Sequence, residues 1–124
     1  MRIGSDDSCL SVERVGQEGS RVLWRIKAAV AGGGWRFTAV HDRVRVDTTD
    51  ETFGRIGDFT AHRVQQFEII VADGFGLRVK RDPSGRILIR YRVGQVSPCS
   101  ALAGAIVLKG EHADAFCRQL ESLL

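Results

Sequence analysis

Residues 20–46 read SRVLWRIKAAVAGGGWRFTAVHDRVRV, two stretches of alternating apolar residues joined by consecutive glycines, and this run limits the possible folds more than any other. Alternation with a period of two marks a half-buried strand, and glycines between two such strands mark a hairpin. With Gly32 and Gly33 as a two-residue primed turn, Ala31 faces Gly34, and Val30, Ala28, Ile26 and Trp24 face Trp35, Phe37, Ala39 and His41. That face is apolar apart from His41. The opposite face sets Ala29 against Arg36, Lys27 against Thr38 and Arg25 against Val40, and it is mixed and largely polar. Sliding the turn by one residue is expected to set Val30 against Arg36 and mix the faces, so burial of one face should fix the register. The glycines read as structural, because a phosphate-cradling loop opens into a helix whereas GGGW opens into a strand.

A second hairpin is predicted in GFGLRVKRDPSGRILIRYRVG, residues 74–94. Phe75, Leu77 and Val79 share one face of its first strand, and Ile87, Ile89, Tyr91 and Val93 share one face of its second. Pro83 sets φ at the second turn position, and Gly85 suits the left-handed conformation that ends a three-residue loop in a bulge. This register places Val79 opposite Ile89, Leu77 opposite Tyr91 and Arg78 opposite Arg90. That like-charge opposition is cheap enough to be tolerated, or is relieved by an acidic partner or by a neighbouring carboxylate such as Glu68.

Between the hairpins, TTDETFGRIGDFTAHR predicts a short helix with Thr or Asp as N-cap, Glu51 in its first turn, and Phe53, Ile56 and Phe59 spaced three apart. QQFEIIVAD, with Phe67, Ile69 and Val71 alternating, and ALAGAIVLKG both suit strands. The chain closes on GEHADAFCRQLESLL, where Ala113, Phe116, Cys117, Leu120, Leu123 and Leu124 form one helical stripe. Together these elements predict an α+β fold. Its form would be an antiparallel sheet of about six or seven strands, with the mid-chain helix and the C-terminal helix packed on one face. A chain of 124 residues has the size of one domain, so a single domain over residues 1–124 is expected.

Apolar residues at 44% and charged residues at 27% place the chain among globular rather than disordered sequences, and a net charge of +3 gives only mild attraction to anions. No window approaches the roughly 18 apolar residues needed to cross a bilayer, and no apolar run follows Arg2, so the expected location is the cytoplasm. Cys9, Cys99 and Cys117 are widely spaced and form no Cys-x-x-Cys pattern, which indicates small reduced side chains rather than a disulfide framework or a zinc site. His41, His62 and His112 have no partner at ligand spacing, and no nucleophile-elbow motif is present. On these grounds the sequence assigns no catalytic residue, metal or cofactor, and the expectation is a protein that is not an enzyme. The carboxylates Asp47, Asp50, Glu51 and Asp58 cluster around the short helix and read as caps and dipole partners.

The second hairpin carries six Lys or Arg residues against one Asp. Arg78, Lys80, Arg90 and Arg92 share its polar face, and Arg25 and Lys27 lie on the polar face of the first hairpin. On the single-sheet expectation these six residues form one basic sheet face and are the candidate partner-binding residues. Phe75 and Tyr91 fall on the apolar side, so the face lacks the stacking platform of single-strand nucleic-acid binders. The readings of this face are then, in order, a solvated surface, an acidic protein partner and nucleic acid.

The order of elements over residues 50 to 124 resembles a family of small bacterial proteins related to the immunity proteins that neutralise wall-associated and contact-dependent toxins. The likeness rests on the strand Leu77–Lys80, the Asp-x-x-Gly turn from Asp82 to Gly85, the strand Ile87–Val93, and a late strand leading into a helix that ends Leu-x-x-Leu at Leu120 and Leu123. What the resemblance implies is a single-domain, non-enzymatic binding protein without a cofactor that acts by occluding a toxin-like protein partner. Two other readings stay open. One is an anion- or nucleic-acid-binding module that uses the basic face. The other is a structural domain that homodimerises through an exposed edge strand such as Ser8–Val15; monomer and homodimer are both compatible with the sequence.

Overall fold

The alternating runs of the first hairpin form β3 (Arg21–Gly32) and β4 (Trp35–Asp47), and the stretch before them forms β1 (Arg2–Gly4) and β2 (Ser8–Glu18). After α1 (Glu51–Thr60) come β5 (Gln66–Val71), β6 (Phe75–Arg81), β7 (Ile87–Val93) and β8 (Leu102–Leu108), and the chain closes with α2 (Glu111–Leu123). The computed structural model describes residues 1–5, 7–47, 49, 51–71, 74–94 and 102–123, at positions 52 and 71 by the backbone alone. The N-cap candidates Thr48 and Asp50, together with Cys99 and Leu124, lie outside the described residues.

The architecture is α+β, but the expected single sheet of six or seven strands is instead two antiparallel sheets of four, ordered β1-β2-β3-β4 and β5-β6-β7-β8. Each sheet has one apolar face, and each face covers the other: β3 and β4 lie over β7 and β8, and β4 also meets β5. One continuous core takes Leu10, Val12, Trp24, Ile26 and Val44 from the N-terminal sheet and Phe67, Phe75, Val79, Ile89 and Tyr91 from the C-terminal sheet. The helices finish the enclosure. Ile56 and Phe59 of α1 and Ala113, Phe116, Leu120 and Leu123 of α2 join the same core, α1 packs on β5 and α2, and the Trp24 indole N–H donates to the Leu123 carbonyl at 3.3 Å.

The second hairpin pairs as predicted, with Val79 opposite Ile89, Leu77 opposite Tyr91 and Arg78 opposite Arg90. Its loop is held by Asp82, whose carboxylate accepts from the Ser84 and Arg86 N–H groups, while Gly85 has φ 87°. The first hairpin differs from expectation. Its turn falls on Gly33 and Gly34, with Gly34 at φ 79°, so Val30 faces Phe37, Ala28 faces Ala39 and Ile26 faces His41. Moving a two-residue turn by one position moves every partner by two, which leaves both faces intact. The face pattern therefore did not distinguish these registers. Packing does, because the Trp35 indole lies across Gly32, where a Cβ would strike the ring.

Beyond His41 the ladder shifts, and Trp24 faces Val44. Asp42 and Arg43 together oppose Arg25, which is a β-bulge. It reverses the phase of β4, so that Val44 and Val46 enter the core on the side already occupied by Ala39. A second irregularity between Arg14 and Gly16 does the same for β2.

Candidate functional site

Edge and face positions decide what the cations can do. Arg25 and Lys27 point outward from the N-terminal sheet, while Arg78, Lys80, Arg90 and Arg92 point outward from the C-terminal sheet. Because the two sheets pack through their inner faces, these sets look to opposite sides of the molecule. The predicted single basic face is thereby divided. Arg25 is also neutralised locally, lying 3.9 Å from Glu13 and 3.6 Å from Asp42.

The set on the C-terminal sheet stays together. Its outer face is a grid of rows across the four strands: Ile70, Gly76, Arg92 and Ala103; then Glu68, Arg78, Arg90 and Ala105; then Gln66, Lys80, Leu88 and Val107. Glu68 accepts from Arg78 Nε at 2.8 Å, which offsets the Arg78–Arg90 opposition as the sequence suggested. Among the described residues no carboxylate pairs with Lys80, Arg90 or Arg92. Gly76 leaves a shallow depression of about 240 Å³ between Ile70, Arg78, Arg90 and Arg92. Ala103 and Ala105 keep the β8 side of the face low.

A larger cleft of about 550 Å³ separates β1, β8 and the first turns of α2, lined by Arg2, Ser5, Ser8, Lys109, His112, Gln119 and apolar side chains. His41 is half-buried at the end of the inner face, and His62 lies in the turn after α1. No group of three or more His, Cys, Asp or Glu among the described residues is arranged to hold a metal ion. Cys9 is buried, Cys117 is partly buried, and both are free thiols. The acidic cluster is occupied locally: Glu51 meets Arg55 at 3.6 Å, Asp58 meets Arg63 at 3.2 Å, and Asp47 accepts from the Thr49 N–H and hydroxyl. Those bonds, led by the Thr49 N–H, hold the Asp47 carboxyl below its ordinary pKa.

Arg81 escaped the sequence reading. Although it follows the alternation of β6 it is 8% exposed, with its guanidinium 4.1 Å over the Phe59 ring and Nη2 donating to the Phe59 carbonyl at 3.2 Å. The carbonyl belongs to the last turn of α1, where the helix dipole favours a cation. Nη2 also approaches Cys117 Sγ at 3.6 Å, so Arg81 joins β6 to both helices and is a structural cation rather than part of the outer face. Its position in phase with Val79 and Leu77 was the available signal.

No helix is long and apolar enough to cross a membrane among the described residues. Comparison with protein-family models, with curated proteins and with solved structures finds no match to this chain.

Proposed function

We propose that this is a small non-enzymatic binding protein, immunity-like in the sense of the family its element order resembles, that occludes an acidic surface of a protein partner with the outer face of the C-terminal sheet. One observation carries the reading: Arg78, Lys80, Arg90 and Arg92 stand on one outward face with Glu68 as the lone carboxylate in its described rows. Cations without an intramolecular partner remain solvated and supply charge complementarity, which raises the encounter rate and fixes register with an acidic surface. Gly76, Ala103 and Ala105 keep the face low enough for a broad partner to seat, and Ile70 and Val107 add exposed apolar area beside the arginines. Tyr91 is turned into the core, which leaves the face without an aromatic for base stacking and favours protein over single-stranded nucleic acid.

The test is retention from a lysate of the source cells at low salt, with and without nuclease, comparing the unaltered chain with Arg90→Glu/Arg92→Glu and with the opposite-face control Arg25→Glu/Lys27→Glu. The expected result is one protein retained by the unaltered chain and the control, insensitive to nuclease, released by salt and absent from Arg90→Glu/Arg92→Glu. Retention of nucleic acid alone, or equal capture by both reversed variants, would overturn the proposal.

A further inference from the structure

β4 terminates the N-terminal sheet; from Trp35 to Thr38 it is exposed on both faces, and beyond that Val40 and Asp42 stay exposed on the outer face while Ala39 and His41 are half-buried on the inner one. Trp35 is 49% and Phe37 62% exposed on the inner side, their rings 5.3 Å apart, and Val40 is 53% exposed on the outer side. Because the turn is Gly33–Gly34, the pair Gly32 and Trp35 closes the hairpin, so alternate residues from Trp35 onward direct their backbone groups at β3. Arg36, Thr38 and Val40 direct theirs at the open edge. An edge of this length with large apolar side chains on both sides is a template for another strand. The bulge at Asp42 and Arg43 bounds it.

We propose that the occupant is a second copy of this chain, paired antiparallel through β4 about a two-fold axis that passes midway between the two Ala39 residues, normal to the sheet. The charge pattern of the strand selects that axis. About Ala39, Arg36 of each copy lies opposite Asp42 of the other, Thr38 opposite Val40, and Phe37 opposite His41, so ion pairs close both ends of an apolar middle. Moving the axis to Thr38 or to Val40 sets Arg36 opposite Val40 or Val44 and removes both ion pairs. Within one copy Arg25 reaches a single oxygen of Asp42 at 3.6 Å, and a carboxylate has acceptor capacity left for Arg36. The interface is isologous, joins the two N-terminal sheets into one continuous sheet, and leaves the basic face of the C-terminal sheet free. The earlier edge candidate, Ser8–Val15, is excluded from this role over Cys9–Ser11, which β1 covers.

The experiment is size-exclusion chromatography with light scattering on the full chain over a concentration series. The unaltered chain is expected to pass from monomer to dimer as concentration rises. Thr38→Pro removes an N–H that faces the open edge and is unused in the ladder to β3, so the variant is expected to keep its fold by circular dichroism and to remain monomeric. Arg36→Asp is expected to be monomeric as well, and Arg36→Asp/Asp42→Arg to dimerise again. A monomer at every concentration, a dimer that survives Thr38→Pro, or failure of the double exchange to restore association would each overturn the assignment.

Discussion

Asp82 is the residue on which the second hairpin turns, since one carboxylate accepts from the Ser84 hydroxyl at 2.6 Å, from Arg86 Nε at 2.8 Å and from two loop N–H groups. Its pKa is lowered from the ordinary 3.8 to about 2, chiefly by the Ser84 hydroxyl, with Arg86 and the loop N–H groups adding to it against an opposing effect of desolvation. The sign follows from linkage: a carboxyl held low in the folded state contributes stability that is whole above 3.8 and is lost as pH falls through about 2. Urea unfolding above pH 3.8 and again near pH 2 should show a larger loss for the unaltered chain than for Asp82→Asn; equal losses would place the acid sensitivity elsewhere. Residues of this kind explain why one hairpin was legible and the other was misread by one position. Asp82, Pro83 and Gly85 have distinct tasks that fit a single loop. The three glycines of the first hairpin are interchangeable as turn formers, and only the indole of Trp35 lying on Gly32 separates them.

At the level of elements the bulge in β4 carries a sharp consequence. Trp35, Phe37 and Ala39 alternate in one phase and Val44 and Val46 in the other, a break visible in the sequence whose meaning is the two-against-one pairing at Arg25. Deleting Arg43 alone should convert the bulge into regular ladder with Val44 still opposite Trp24, and the chain should fold with most of its stability. Deleting Asp42 and Arg43 together turns Val44 and Val46 to solvent and Arg45 inward, at a cost of about 3–6 kcal/mol for the two valines in a denaturant titration. Similar losses for the two deletions would show that β4 does not depend on this phase. Strand and helix identities were readable because each depends on local periodicity: α2 buries Ala113, Phe116, Leu120 and Leu123 along the stripe the spacing marks.

The division into two sheets belongs to the whole molecule and was not readable from periodicity. Alternation says that one face of a strand is buried and is silent on whether a helix layer or another sheet buries it. The six-residue basic face failed for the same reason, because residues equivalent within their hairpins sit on opposite walls of the sandwich. What ties the walls together at one point is Tyr91, whose ring crosses Gly104 and whose hydroxyl lies 3.0 Å from the Ser8 hydroxyl on the other sheet. Gly104→Ala would set a Cβ against the Tyr91 hydroxyl and should cost about 1–3 kcal/mol in chemical denaturation, whereas Ala105→Ser on the open outer face should be nearly silent. The placement of the chromophores makes the molecule its own instrument. Its single tyrosine spans the gap between sheets, one tryptophan, Trp24, is sealed beneath the end of α2, and the other, Trp35, stands on the open edge of β4. Intrinsic ultraviolet emission, resolved by selective replacement of either indole, can therefore follow helix detachment and edge association as separate optical events in the same sample.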